Sequence, residues 1–261
     1  MRALILAAGQ GTRLRPLTDD RPKCLVPLLG RSLLSWQIEA LRVAGIEDVS
    51  VVTGYRADQI EALGVAVIHN ERFASTNMVA SLMVARGLLL SGDDILIAYG
   101  DLVYEPRIIA ALADAPHDLA IAVDLEWRRL WDLRMADPLD DAETMRIDAA
   151  GFVRELGRRP RDYNEIEGQF MGLVLLRAAA ARHVVDVYDA LDPSAAFEGN
   201  DRDTMFMTAF LQHLVDLGTP LGTVPVAGGW LEIDSTEDLD RYEDLATRGD
   251  LDAQWAARGW C

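Results

Sequence analysis

The side chains with chemical potential gather at a few separated points of the chain. In LILAAGQGTRLRPLTDDRPKCLVPL, residues 4–28, an apolar run leads into Ala7-Ala8-Gly9-Gln10-Gly11-Thr12-Arg13, and Lys23 follows between a proline and a cysteine. Two glycines let backbone N–H groups approach an anion closely. Arg13, Arg15 and Lys23 supply the positive charge that a polyphosphate in such a loop would need. Lys23 is the one lysine of the chain, beside 24 arginines. Its ammonium is a compact charge on a flexible stem, suited to following charge as it moves during displacement at phosphorus. The segment lacks the Gly-Lys-Ser/Thr ending of a Walker loop, and Leu14 stands where a dinucleotide fingerprint needs its third glycine. As a bare pattern a tight turn competes with phosphate binding; the cations that follow favour phosphate.

Two remote aspartates form a second constellation: Asp101, ending IAYGD, and Asp234, ending LEID. Paired carboxylates suit Mg²⁺, which prefers hard oxygen ligands, although a turn or cap role competes at each position. The four histidines show no ligand spacing. A third group lies in EWRRLWDLRMADPLDDAETM, where Trp127 and Trp131 are four apart, with Arg128, Arg129 and Arg134 between and after. Aromatic faces near carboxylates suit an ammonium group, and arginines suit a phosphate or phosphonate; core packing is the competing role for the tryptophans. Glu198 and Asp203 are candidate ammonium partners, and Trp230 is a candidate aromatic wall.

These residues need elements to hold them. RALILAA, DVSVVTG, VAVIHN, DDILIAYGD and DLAIAVD read as buried strands, alternating with the helical stretches LLSWQIEALRVAG, ADQIEAL, NMVASLMVARGLLL and EPRIIAALADA. That alternation predicts an α/β fold with a mostly parallel central sheet flanked by helices. Right-handed crossovers then put the loops at 8–15 and 99–105 on one edge. After about residue 125 the pattern becomes mixed. RIDAAGFVRELG reads as a hairpin, GQFMGLVLL as a strand, RAAAARHVVDVYDAL and RDTMFMTAFLQHLVDLG as helices. LGTVPVAGGWLEID gives one or two strands, and STEDLDRYEDLATR a helix capped by Ser235 or Thr236. The expected organisation is one domain over 1–261, with a nucleotide-binding half at 1–125 and an acceptor-binding half at 126–261.

A net charge of −17 argues against nucleic-acid or anionic-membrane binding. Residues 1–31 are locally basic, so an anionic small molecule is compatible with it. Cys24 and Cys261 make neither a disulfide framework nor a zinc spacing, and no window approaches a membrane span. A cytoplasmic protein is expected.

LILAAGQGTRLRPLTDDRPKCLVPLLGRSLL closely resembles the N-terminal signature of the nucleotidyltransferases that activate sugar-1-phosphates and small phosphorylated alcohols, and YGD at 99–101 and WLEID at 230–234 continue the likeness. The resemblance implies a Rossmann-like fold, an NTP, a divalent metal such as Mg²⁺, and release of pyrophosphate. Carried over by position, it implies that Leu6, Ala7, Ala8, Gly9, Gly11, Thr12, Tyr99 and Gly100 surround the nucleotide. Arg13 and Lys23 would contact the phosphates, and Asp101 and Asp234 would hold metal. Many sugar enzymes of this kind carry a glycine-rich segment after the third strand. This chain has Thr76-Asn77-Met78 leading into a helix with Ser81, which is more similar to the phosphocholine and phosphonate cytidylyltransferases; a plain N-cap role for Asn77 is compatible with that. CTP and a phosphocholine- or 2-aminoethylphosphonate-type acceptor are therefore expected at Asn77, Ser81 and Trp127, Trp131, Arg129, Glu198, Asp203 and Trp230. A sugar-1-phosphate nucleotidyltransferase is the alternative within the class, and an inactive nucleotide-binding regulator the alternative outside it. A homodimer is compatible with all of these.

Overall fold

The computed structural model describes residues 1–256 except Ser194; Cys261 lies outside the described residues. Seven strands form the central sheet, in the order Gly222–Val226, Leu119–Asp124, Gln169–Leu176, Ile95–Tyr99, Arg2–Ala7, Val49–Thr53, Ala66–His69. All neighbours are parallel except Gln169–Leu176, which runs antiparallel to both strands beside it. The sheet is therefore mixed and mostly parallel.

Period-two alternation explains why the strands read as unbroken apolar runs. Ala3, Ile5 and Ala7 enter one core, with Leu34, Leu41, Ile108 and Trp131. Leu4, Leu6 and Ala8 enter the other, with Val79, Leu82, Val184 and Phe210. A strand covered on both faces needs apolar residues at every position. The helices Leu33–Val43, Pro106–Ala113, Trp127–Arg134 and Thr236–Arg248 lie on the first face, and Met78–Val84, Ala178–Asp189 and Met207–Asp216 on the second. No helix among the described residues is long and apolar enough to cross a membrane.

Two local outcomes differ from the sequence pattern. NMVASLMVARGLLL is not one helix: Met78–Val84 ends at Ala85, and a short turn Arg86–Leu89 follows. The polar, aromatic stretch after Leu125 contains a regular helix, Trp127–Arg134, burying Trp127, Leu130, Trp131 and Arg134. Its i, i+3, i+4, i+7 stripe is helical, but the fourth member is an arginine, which hides the period from hydropathy.

Candidate active site

Parallel strands ending at one edge bring the glycine loop and residues 99–101 together; Gly100 donates its N–H to the Leu6 carbonyl at 2.9 Å. Beyond Asp101 the short strand Leu102–Tyr104 pairs antiparallel with Trp230–Glu232. Ile233 N–H then donates to the Asp101 carbonyl at 3.0 Å. This ladder is what makes two carboxylates 133 positions apart neighbours.

Lys23 sits between them. Its Nζ donates to Asp101 Oδ2 at 2.8 Å and to Asp234 Oδ1 at 2.6 Å. Arg13 reaches the same Asp234 oxygen at 2.9 Å. Burial opposes a charge on Lys23, but Asp101 and Asp234 outweigh it and hold the ammonium above its ordinary pKa. Burial likewise works against ionised Asp234, and Lys23, Arg13 and Arg134 overcome it, so that carboxyl titrates below its usual range. The lysine stem lies across Gly11. That residue has φ +75°, and a Cβ there would come within 2.7 Å of Lys23 Cβ. The glycine therefore serves both the left-handed turn and the passage of the lysine.

Behind Asp234 lies the buried guanidinium of Arg134, bonded to Glu232 at 2.5 Å and to Asp234 and Asp238 at 3.2 Å. Asp238 closes a capping box with Ser235 and accepts from the N–H groups of Asp234 and Ser235. The C-terminal helix and the edge that carries Asp101 and Asp234 are thus one polar framework. Glu232 completes an acidic set: Asp101, Glu232 and Asp234 each offer an oxygen, all within 4.8 Å of one another. Asp101 Oδ1 is buried and lacks a hydrogen-bond partner. An all-oxygen set with an orphaned acceptor fits a hard divalent cation such as Mg²⁺. Burial and the adjacent Asp234 push the Glu232 carboxyl upward, against Arg134.

Two cavities meet at this triad. The first, of about 210 Å³, is lined by Leu6, Ala7, Ala8, Gly9, Gly11 and Gly100, with Asn77 and Ser81 opposite and Lys23 and Asp101 at one side. The second, of about 290 Å³, has walls of Tyr99, Trp131, Phe170 and Trp230, with Asp141, Glu143, Glu232 and Asp234 among them. Met78 lines both. A bulge between Phe170 and Val174 shapes the second wall: Gly172, at φ +72°, lets the strand pass within contact of the Tyr99 ring.

The MobA-like NTP transferase domain matches residues 3–196, about three quarters of the chain. This chain belongs to that family. The NTP transferase is 37% identical over 249 residues to the CTP:phosphoglutamine cytidylyltransferase of Campylobacter jejuni, a match covering 92% of this chain and 98% of the relative. It is 33% identical over 115 residues to the 2-aminoethylphosphonate cytidylyltransferase of Lancefieldella rimae, covering 40% and 47% of the two chains. Among solved structures, the CTP:phosphocholine cytidylyltransferase from Streptococcus pneumoniae superposes with a TM-score of 0.70 over 94% of this chain and 98% of that one, at 21% identity. The enzyme class is nucleotidyltransferase, and cytidylyltransferases stand among its relatives.

The NTP transferase brings many of the sequence candidates to these two cavities and leaves others outside. Asn77 caps its helix, accepting from Met78 N–H at 2.8 Å, and also lines the first cavity, so both of its expected roles are compatible. Ser81 accepts from Asn70 at 3.0 Å. Thr12 is exposed and lines neither cavity, and Tyr99 lies on the wall of the second. Trp131 and Trp230 face the second cavity, whereas Trp127 packs behind Trp131 at 5.8 Å between ring centres. Arg129 points away, held by Glu126 and the Ala253 carbonyl. Glu198 is exposed near Arg158. Asp203 pairs its carboxylate with Arg72 and gives its backbone carbonyl to Asn77 N–H. Arg129, Glu198 and Asp203 are thus not brought to the aromatic cleft.

Three acidic residues escaped the sequence pattern, and one arginine was read there in a different role. Glu232 lies two positions from Asp234, a spacing that puts side chains on one face of an extended segment; that was its available signal. Asp141 and Glu143 sit in irregular chain, and Arg134, expected with its neighbours to suit an acceptor phosphate, is instead the buried partner of three carboxylates.

Proposed function

We propose that this chain is a cytidylyltransferase that joins CTP to a small phosphorylated or phosphonate acceptor and releases pyrophosphate. The observation that carries the reading is the Lys23–Asp101–Asp234–Arg13 chain of charge lying where the glycine-lined and aromatic cavities meet. Lys23 and Asp101 border the first, and Arg13 and Asp234 border the second. A triphosphate along the glycine loop and an acceptor between the aromatic rings would meet beside the only lysine of the chain. The Campylobacter jejuni cytidylyltransferase, 37% identical across 92% of this chain, favours CTP over the nucleotides used in sugar activation. Glucose-1-phosphate thymidylyltransferases match the same span at only 25–26% identity.

An acceptor phosphate or phosphonate oxygen attacks the α-phosphorus in line. The new P–O bond forms as the bond to the bridging oxygen breaks, and pyrophosphate leaves with that electron pair. The attacking oxygen is already anionic near neutral pH, so no strong base is needed. Lys23 and Arg13 offset the negative charge that accumulates on the phosphates. The backbone of Ala8 to Gly11 positions the triphosphate, and the tryptophans orient the acceptor and exclude water. Asp101 and Asp234, with Glu232 beside them, would hold Mg²⁺, which when bound supplies charge neutralisation at phosphate oxygens. The cytoplasm is its proposed location.

A panel of four NTPs against phosphocholine, 2-aminoethylphosphonate and glucose-1-phosphate, read by pyrophosphate release, tests this. Turnover with CTP and a small phosphorylated or phosphonate acceptor is expected. Preference for glucose-1-phosphate with UTP or dTTP would replace the reading with sugar activation, and no turnover with any pair would favour a regulator.

A further inference from the structure

The acceptor cleft holds carboxylates in unequal states. Asp234 is held by Lys23, Arg13 and Arg134. Glu232 is held by Arg134. Asp141 accepts the indole N–H of Trp131 at 3.1 Å. Glu143 differs: among the described residues it forms no ion pair, and the Thr208 hydroxyl, at 3.3 Å, is its one side-chain donor. Its backbone is clamped, however. Gln169 accepts from Glu143 N–H at 3.1 Å and donates to the Glu143 carbonyl at 2.5 Å. The carboxylate is therefore positioned on the cleft wall, half-buried beside Trp131, Phe170 and Trp230, with no cation of its own.

A fixed anion among aromatic rings asks for a cation. We infer that Glu143 selects an acceptor carrying a cationic nitrogen, which supplies the missing partner, and discriminates against an uncharged hydroxyl in the same place. The inference rests on the aromatic cleft being the acceptor site.

Proton linkage gives the assignment a second signature. Burial pushes the Glu143 carboxyl up to about 7; the Thr208 hydroxyl pulls the other way, and Asp141 and Glu198 add to the rise. The remaining charged groups on the wall are Arg13, Glu232 and Asp234, each engaged in the ion pairs above. Tyr99, whose phenol is held well above its usual value by burial, adds no charge. Below that pKa a cationic acceptor must displace a proton from Glu143, and above it the carboxylate is ready. Affinity for a cationic acceptor therefore rises as pH passes upward through about 7.

The test compares 2-aminoethylphosphonate with 2-hydroxyethylphosphonate, titrated calorimetrically into wild-type protein and Glu143→Gln. Both carry a phosphonate, and the same pH series on Glu143→Gln subtracts the difference between their phosphonate titrations. Wild-type protein is expected to prefer the amine by roughly 10- to 100-fold, the range of a charged hydrogen bond. Glu143→Gln should abolish both the preference and its pH dependence, chiefly through weaker binding of the amine. No preference in wild-type protein, or an equal one in Glu143→Gln, overturns the inference. Phe170→Ala, assayed for acceptor KM with the best substrate pair, separates it from the cleft assignment. A raised KM there, with an unchanged preference in Glu143→Gln, leaves the cleft standing and removes Glu143. An unchanged KM in Phe170→Ala removes the cleft assignment itself.

Discussion

Replacing Lys23 by methionine keeps an aliphatic stem over Gly11 and deletes only the charge. The lysine, Asp101 and Asp234 side chains are 15%, 15% and 10% exposed, and the ammonium lies within 2.8 Å of both carboxylates. Removing one member of a buried ion pair costs about 3–5 kcal/mol, because the partners are left charged and desolvated. Here Arg13 and Arg134 still serve Asp234, and some solvent reaches the group, which lowers the expected loss to about 2–3 kcal/mol. For a chain of this size that is a fall in Tm of roughly 4–12 °C. Mg²⁺ should restore more of the Tm in Lys23→Met than it adds to wild-type protein, since a dication can neutralise the carboxylates that lost their ammonium. Turnover should fall by at least ~100-fold, the scale of one lost transition-state contact. Calorimetric melting with and without Mg²⁺, together with pyrophosphate release, measures both effects. An unchanged Tm would refute the electrostatic reasoning, and near-full turnover would refute the catalytic role.

Gly11→Ala forces a Cβ to within 2.7 Å of Lys23 Cβ at φ +75°; a loss of about 1–3 kcal/mol and a raised KM for the NTP are expected by urea melting and steady-state kinetics. Arg134→Met strands Glu232, Asp234 and Asp238 without their shared cation. It should destabilise by about 3–5 kcal/mol and most strongly near and above neutral pH, a dependence that denaturation at pH 5 and pH 8 can compare. Burial pushes the Cys24 thiol up to about 12, so in a Cys261→Ser background a thiol reagent at pH 8 should modify it only in denaturant, as peptide mapping would show.

The glycine loop and the strands that carry it were legible in the sequence because their signals are local. An apolar run, two glycines and a proline-flanked lysine occupy one contiguous segment, and strand alternation alone places the loops at 8–15 and 99–101 on one edge. Pairing of Asp101 with Asp234 is decided instead by the register of Leu102–Tyr104 against Trp230–Glu232, which no local pattern encodes. Arg134 was opaque because burial of a guanidinium depends on three carboxylates gathering around it, all of them beyond residue 230. In the second half of the chain, tryptophans at helical spacing served two purposes at once. Trp131 faces the cleft and Trp127 supports it from behind. Glu143 could not be told from any other acidic loop residue, because what distinguishes it is the absence of a nearby cation among the described residues.

The reversed strand Gln169–Leu176 has a consequence for how this architecture can diversify. Parallel neighbours present their last residues at the edge that carries the glycine loop, whereas this strand enters there and presents its first, Gln169, Phe170 and Met171. The segment leading into it, 125–168, therefore arrives at the aromatic cleft and, outside Arg134, can change length or composition upstream of a strand whose far end remains anchored between Ile95–Tyr99 and Leu119–Asp124. The lining of the aromatic cleft can thereby be rewritten at the rim around Arg134, which must stay to hold Glu232 and Asp234, while the glycine loop remains fixed in the frame.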